Sequence, residues 1–356
     1  MEGPAAAPKV LLHGIDTLQC SYYLRPRGHG KIDFVHLTTE RERLRLARKR
    51  ERTPKPVKLG PLEFMLAPSG SANGYPLVLR NADFQIEMGE FVNPPFFVTF
   101  RSEALWRETA FGLHQQFLDW AATLDYFPHQ DETLARVDFS FDFDLPNVDF
   151  DENSFLSLSA KDSQYRENGR LQTLTFGKSD AVLRVYDKVA EIRQQSDKVW
   201  FYELWGQTEN VWRVEWQVRK SILRRFGIVN FTDLRDQCGD ILRYLVTEHD
   251  SLRIPSGDSN RSRWPLHPLW SSLLACIQKD AGLGVYRAMD AGAALRERKM
   301  RIAIAVYGYL KRYAAIERVQ GKFDSISVEK VFRALEGRVG QVHDPLSWMV
   351  LAPTEN

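Results

Sequence analysis

The sequence is poor in the features that commit a chain to a single class at once. Its three cysteines, Cys20, Cys238 and Cys276, lie far apart and form no Cys-x-x-Cys pair. Neither a disulfide framework nor a cysteine zinc site is therefore expected, and a reducing, cytoplasmic location is. No window approaches the roughly 18 uncharged apolar residues that a membrane span requires. The opening Met-Glu-Gly-Pro-Ala-Ala-Ala-Pro lacks a basic segment followed by an apolar run, so a soluble, unexported protein with no membrane partner is predicted. Neither sign of charge dominates: the formal net charge is +2 over 356 residues. That balance neither demands nor excludes a nucleic-acid partner, because a local basic patch can hide within it. No repeat or low-complexity tract is visible, which sets aside repeat architectures. The length suffices for a large core and suggests two domains.

What the chain does have is a set of alternating strands. In Ala135 to Asp144, the side chains Val137, Phe139, Phe141 and Phe143 fall on one face, and Asp138, Ser140, Asp142 and Asp144 on the other. A second segment, Thr173 to Lys188, places Val182, Arg184 and Tyr186 on one face, with Asp187 and Lys188 where the pattern turns helical. A third, Val211 to Arg219, sets Trp212, Val214, Trp216 and Val218 against Arg213, Glu215, Gln217 and Arg219. Strands are also expected within Val10 to Leu24 and near Phe64, Pro76, Phe84 and Phe96, as in an antiparallel meander. Helices are expected over the charged run Glu40 to Arg52, over Trp106 to Leu124 with Phe111, Leu113, Phe117, Leu118 and Ala121 inward, over 187–196, over Phe231 to Glu248, and from Pro268 through Glu336. The polar stretch Pro255 to Arg263 is the candidate linker. The predicted fold is α+β: a curved antiparallel sheet with flanking helices in a catalytic domain over 1–255, then an α-helical region over 256–356.

If the three polar faces converge, they make a concave site with carboxylates for a metal, a tyrosine nucleophile, and cations for phosphate. Those are the parts for phosphodiester transesterification. A free phenol titrates near pH 10, so attack at neutral pH calls for nearby positive charge or a metal, and Arg184 and Lys188 flank Tyr186 in sequence. Charge that builds on phosphate during attack is offset by a hard divalent ion, Mg²⁺ or Mn²⁺, on carboxylates. Asp138, Asp142, Asp187 and Glu215 are the candidate ligands. On a straight strand Asp138 and Asp142 stand about 13 Å apart, so one of them paired with Asp187 is the expected set.

The pattern Gly-Lys-Ser-Asp-x-x-x-Arg-x-Tyr-Asp-Lys, from Gly177 to Lys188, resembles the replication initiation factor family of rolling-circle plasmids, filamentous phages and some integrative elements. Gly14 to Leu18, Arg136-Val-Asp138 with Asp142, Arg213-Val-Glu215, and the Arg-Trp-containing segment Asn260 to Trp270 are similar to further segments of that family. The resemblance spans roughly residues 10 to 320. It implies that Tyr186 nicks one DNA strand at an origin, keeps a 5′-phosphotyrosine and later rejoins ends, with Asp187 as an adjacent metal ligand and Asp138 or Asp142 as the acids of the preceding strand. Retaining the phosphodiester energy in a covalent bond removes the need for ATP in rejoining. The eight histidines are scattered, with no His-hydrophobic-His pair, so carboxylates must hold any metal. No N-terminal helix-turn-helix is evident.

Basic clusters at Arg41 to Arg52, Arg219 to Arg225, Arg261 to Arg263 and Arg296 to Arg301 could neutralise phosphates. Arg213, Arg219, Lys220, Arg261, Arg263 and Trp264 are the candidate DNA contacts, Trp264 by stacking on an unpaired base. The competing reading has Trp264 and Trp270 stapling the linker helix to the sheet. The expected partner is origin DNA, single-stranded or cruciform. A host helicase and a second copy of the chain are further candidates, the latter through Val306 to Ile316. Alternatives are a conjugative relaxase of an integrative element, a non-catalytic DNA-binding regulator on the same scaffold, and a water-using RNA nuclease.

Overall fold

The computed structural model describes residues 7–48, 50, 52–196, 198–280, 291–319 and 327–342. The chain enters through the long strand β1 (Lys9–Tyr22) and the short β2 (Leu24–Pro26), and then forms helix α1 (Phe34–Leu46). A meander follows: β3 (Lys55–Leu59), β4 (Leu62–Leu66), β5 (Leu77–Arg80), β6 (Phe84–Met88) and β7 (Phe96–Phe100). Helices α2 (Ser102–Arg107) and α3 (Ala110–Thr123) lead to β8 (Tyr126–Pro128), which pairs with β2, and to β9 (Thr133–Asp144). Next come β10 (Phe155–Ser157), β11 (Asp162–Glu167), β12 (Arg170–Phe176) and β13 (Ala181–Asp187). After the short helices α4 (Lys188–Glu191) and α5 (Phe201–Trp205) comes β14 (Val211–Arg219). Helices α6 (Lys220–Arg225) and α7 (Phe231–Tyr244), strand β15 (Asp250–Leu252) paired with β10, and helix α8 (Pro268–Asp280) complete this unit.

Among the described residues, eleven strands form one antiparallel sheet in the order β11-β12-β13-β14-β9-β1-β7-β6-β5-β4-β3. The expected α+β class with a large antiparallel sheet is what the chain forms. The three alternating segments recognised in the sequence are the adjacent strands β13, β14 and β9, so their polar rows lie side by side. The opposite rows, among them Phe139, Phe143, Val214 and Trp216, are buried. Trp216 meets Trp270 of α8 with ring centroids 5.6 Å apart. In the meander half, Phe117 of α3 packs on Tyr22, Phe84 and Phe96.

Several elements depart from their sequence expectation for identifiable reasons. Helix α1 starts six residues before the charged run and ends at Leu46, because Asp33 caps it by accepting from the His36 amide at 2.8 Å and Phe34 and Leu37 are buried. Its cations pair with Glu40 and Glu42, the arrangement of a solvated helix face. In α3, Phe111 is exposed, and Trp120 takes its place in the core with its indole donating to the Leu59 carbonyl at 3.0 Å. Strand β11 carries almost no apolar residue and is exposed along its length, as an outer strand can be, so alternation could not find it.

The first compact unit runs from Met1 to Arg287, past the boundary expected at 255, and the second is Ala288–Asn356. Helix α8 belongs to the first because Leu269, Trp270 and Leu273 are fully buried, and the Trp270 indole donates to the Val246 carbonyl at 2.9 Å. The second unit holds α9 (Ala291–Val319) and α10 (Val328–Val342), which pack through Leu310, Ala314 and Val331. Within the Val306 to Ile316 stripe, Val306, Tyr307, Tyr309 and Ile316 remain exposed. No helix among the described residues is long and apolar enough to cross a membrane.

Candidate active site

Register brings the polar rows together. Arg213 of β14 lies opposite both Tyr186 of β13 and Asp142 of β9, and Glu215 lies opposite Arg184 and Ser140. Two neighbouring clusters of charge result, and they differ in kind.

The first is closed. Arg213 is fully buried and grips Asp142 with two hydrogen bonds, Nε to Oδ1 at 2.6 Å and Nη2 to Oδ2 at 2.8 Å, while Nη1 donates to Asp16 Oδ1 at 2.9 Å. The indoles of Trp205 and Trp106 donate to Asp142 and Asp16 at 2.8 and 2.9 Å, and the Ser102 hydroxyl donates to Asp16 at 2.9 Å. Lys198 sits 3.4 Å from the other Asp16 oxygen. Burial alone would raise the Asp16 pKa, but Arg213, Lys198, Lys188 and the Trp106 bond outweigh it and hold it far below the usual carboxylate range. The guanidinium is pinned in turn: burial opposes its charge, yet Asp142, Tyr186 and Asp16 drive its pKa well up.

Asp16 lies in the Gly14 to Leu18 segment, where its sequence context gives it no place in the site. Plain alternation puts it on the side of Leu18, Cys20 and Tyr22; a bulge between Ile15 and Thr17 turns it to the polar side. Gly14 is required beside it, since a Cβ there would lie 2.9 Å from the Trp106 ring.

The second cluster is open. Tyr186, Asp187, Arg184, Glu191 and Glu215 line a cleft of about 290 Å³. The Tyr186 hydroxyl donates to Glu215 Oε2 at 3.0 Å, and Arg184 donates to Glu215 Oε1 at 3.2 Å. Asp187 ends β13 and caps α4, accepting from the Ala190 amide at 2.9 Å. Lys188 is buried, bonded to Glu191 at 2.6 Å, with its ammonium 5.5 Å from the Tyr186 ring centroid. Glu191 carries no sequence signal beyond its place in an expected helix.

Two groups of residues lie in surroundings that the sequence pattern does not reveal. Asp138 and Asp142, expected as acids for a metal, are each taken up by an arginine and do not line the cleft. Asp138 is gripped by Arg136, with Nε to Oδ1 at 2.7 Å; even so, burial lifts its pKa to about 6 against the Arg136 pair. The phenol is expected from the sequence to be acidified by flanking cations. Instead burial and then Glu215 push Tyr186 well above its ordinary pKa, and Arg213 counters only in part. Lys188 is lowered by burial and by Arg213, which weakens it as a partner for phenolate.

The predicted DNA contacts separate. Arg213 is enclosed. Arg261 bonds the backbone carbonyl of Phe155 at 2.7 Å and stacks on Trp264, whose indole donates to the Asp258 carbonyl at 2.7 Å. Arg261 thus ties the linker to β10 of the two-stranded sheet, and Trp264 closes on the linker itself. Arg219 and Arg263 are exposed, and Lys220 is half-buried.

No group of three or more His, Cys, Asp or Glu among the described residues is already gathered as a metal cage. The cleft nevertheless presents Asp187, Glu191 and Glu215, the hard oxygen donors that suit Mg²⁺ or Mn²⁺ when water and substrate phosphate complete the shell. The donor chemistry fits such an ion.

The chain is similar to a solved structure, the rolling circle replication initiator protein from Geobacillus stearothermophilus, at 17% identity and a TM-score of 0.44, over 78% of this chain and 99% of that one. No curated protein matches the chain. Residues 103–237 match the family model for the N-terminal region of a phage replication-associated protein, in keeping with the resemblance carried by Gly177 to Lys188. The matched segment, which contains β9, β13 and β14, is thus similar to this family of replication-associated proteins.

Proposed function

We propose that the protein initiates rolling-circle replication by nicking one DNA strand at an origin, with Tyr186 as nucleophile. The observation that carries this reading is the Tyr186 hydroxyl bonded at 3.0 Å to Glu215 inside an open cleft that also holds Arg184 and Asp187. A phenol whose pKa is raised by burial needs a base at the moment of attack, and Glu215 Oε2, 3.0 Å away, would accept its proton. The Tyr186 oxygen bonds to phosphorus, the phosphorus–O3′ bond breaks, and the 3′ oxygen leaves with a proton. The protein keeps the 5′-phosphate. In reverse, a 3′-hydroxyl attacks the phosphotyrosine and the phenol regains its proton.

Arg184 offers positive charge to the phosphate at the cleft wall. Lys188 acts at a distance through its field on the ring. Asp187, with Glu191 beside it, would hold Mg²⁺ or Mn²⁺, which when bound supplies Lewis-acid stabilisation of phosphate charge. This leaves Glu215 to take the proton. The buried Arg213 cluster fixes β14 against β9 and β1, and so holds Glu215 at the right height. Incubation with an end-labelled single-stranded origin oligonucleotide and either ion, followed by denaturing electrophoresis, should show a protein-linked label. Absence of any adduct, with binding intact, would support a non-catalytic DNA-binding regulator instead.

A further inference from the structure

At the other end of β1 lies a second cleft, of about 470 Å³, between the β2 segment, the β6–β7 loop and the end of β8. Its size falls in the range of ligand sites, roughly 300–1,000 Å³, and its lining includes Arg25, His29, Glu90, Asn93, His129 and Gln130. Arg25 and its neighbour Arg27 are exposed and enter no ion pair among the described residues. Lys31 nearby is already held by Asp125 at 3.0 Å, and Glu90 is the lining acid. Arg25 and Arg27 are therefore the exposed cations of this end without a carboxylate partner among the described residues.

Residues next to the cleft lining in sequence carry two flat surfaces. Arg27 lies over the Phe127 ring at 4.0 Å from its centroid. On the opposite lip Phe91, next to Glu90, is 94% exposed, the most exposed large hydrophobic among the described residues. Leaving such a side chain in water forgoes the stabilisation of burial. Its loop is nevertheless pinned: the Gly89 amide donates to the Pro95 carbonyl at 3.1 Å, and the Tyr75 hydroxyl to the Pro94 carbonyl at 3.0 Å. An aromatic ring held out on a fixed loop, beside guanidiniums and amide side chains, fits an unpaired base and its phosphates. Duplex bases, stacked on one another, could not meet it face to face.

We propose that this cleft is a second DNA contact that takes an unpaired stretch of the substrate strand, with Phe91 stacked on a base and Arg25 and Arg27 on phosphates. The choice of DNA rests on the nicking reading. Leu12 of β1 stands at the level of Asp142 and hence of Tyr186. From Leu12 to Leu24, at the lip of the cleft, the strand path covers at most roughly 40 Å, so the two clefts lie at separate levels of the sheet. The protein would hold opened DNA at two separated points.

The test is anisotropy-based binding with the Tyr186→Phe protein, so that DNA stays intact. The probes are a long single strand, a short one confined to the Tyr186 cleft, and a duplex. Phe91→Ala should weaken the long strand by about tenfold, spare the short one, and be rescued by Phe91→Trp. Removing Arg25 and Arg27 together should lower the salt slope by roughly 0.7 for each phosphate no longer neutralised. Long-strand affinity unchanged in Phe91→Ala would overturn the proposal. So would an equal loss on duplex, free dTMP competing as well as the long strand, or a Phe91-dependent protein dimer in place of DNA binding. Adduct formation by otherwise wild-type Phe91→Ala on the short strand reports separately on Tyr186, so either reading can fail without the other.

Discussion

The two charge clusters on one sheet face are built from the same residue types, yet one is full and the other is not. Around Arg213, both Asp142 oxygens and one of Asp16 accept from the guanidinium, and two indoles and a hydroxyl add further donors. One strand away, Tyr186, Glu215, Asp187 and Arg184 face an open cleft. A buried charge that has all its partners has no capacity left for a substrate; its work is to hold strands in register. Tyr186 and Glu215 are buried and bonded to each other too, but they border a cleft that a substrate can enter. The distinction separates acids enclosed around Arg213 from acids that line a cleft, where residue type alone could not.

Substitutions can break that comparison in descending order of effect. Tyr186→Phe should remove the covalent adduct altogether while leaving DNA binding in place, as gel and anisotropy assays would record. Glu215→Gln should slow adduct formation by about 10²–10⁴-fold, the range for loss of a general base, as followed by single-turnover kinetics. Arg213→Met should act on the fold, costing about 3–5 kcal/mol in denaturant melts because Asp16 and Asp142 are left buried and uncompensated. If Arg213→Met folds normally and fails only in catalysis, the division between clusters is wrong.

A smaller effect concerns pH. Burial lifts Asp138 from its ordinary 3.8 to about 6, so the folded state binds this proton more tightly than the unfolded one. Its contribution to stability is full below about pH 4 and is lost as pH rises through 6, at most about 3 kcal/mol. Melts of Asp138→Asn against the wild type across that window should show this slope vanish. Smallest of all, Asp187→Ala should cost about 1 kcal/mol through the lost cap of α4. Asp187→Asn should keep the cap and reduce metal-dependent adduct formation, which separates capping from the proposed ligand role.

Much of the sheet was legible because its strands alternate cleanly. Phe139, Phe141 and Phe143 against Ser140 and Asp142 mark a strand, while the adjacency of β9, β14 and β13 was legible only as a condition for the three polar faces to converge. The match over residues 103–237 covers these strands, and Gly177 to Lys188 resembles the same kind of protein. What could not be read was pairing. Asp142 and Glu215 look alike along their strands, and only register reveals that Arg213 reaches back to the first while Tyr186 reaches the second. Asp16 was hidden by a bulge, which shifts alternation by one residue without a sequence mark. Strand β11 was hidden by its polar surface, and the capping role of Asp187 by its place at a strand–helix junction.

The claim that Tyr186 is the nucleophile is tested most directly by locating the covalent bond. Wild-type protein is trapped on a single-stranded origin oligonucleotide with Mg²⁺, digested, and the nucleotide-bearing peptide is sequenced by mass spectrometry. The expected product is a 5′-phosphate linked to Tyr186. A nucleotide on any other residue, or cleavage with no protein-linked product, would contradict it.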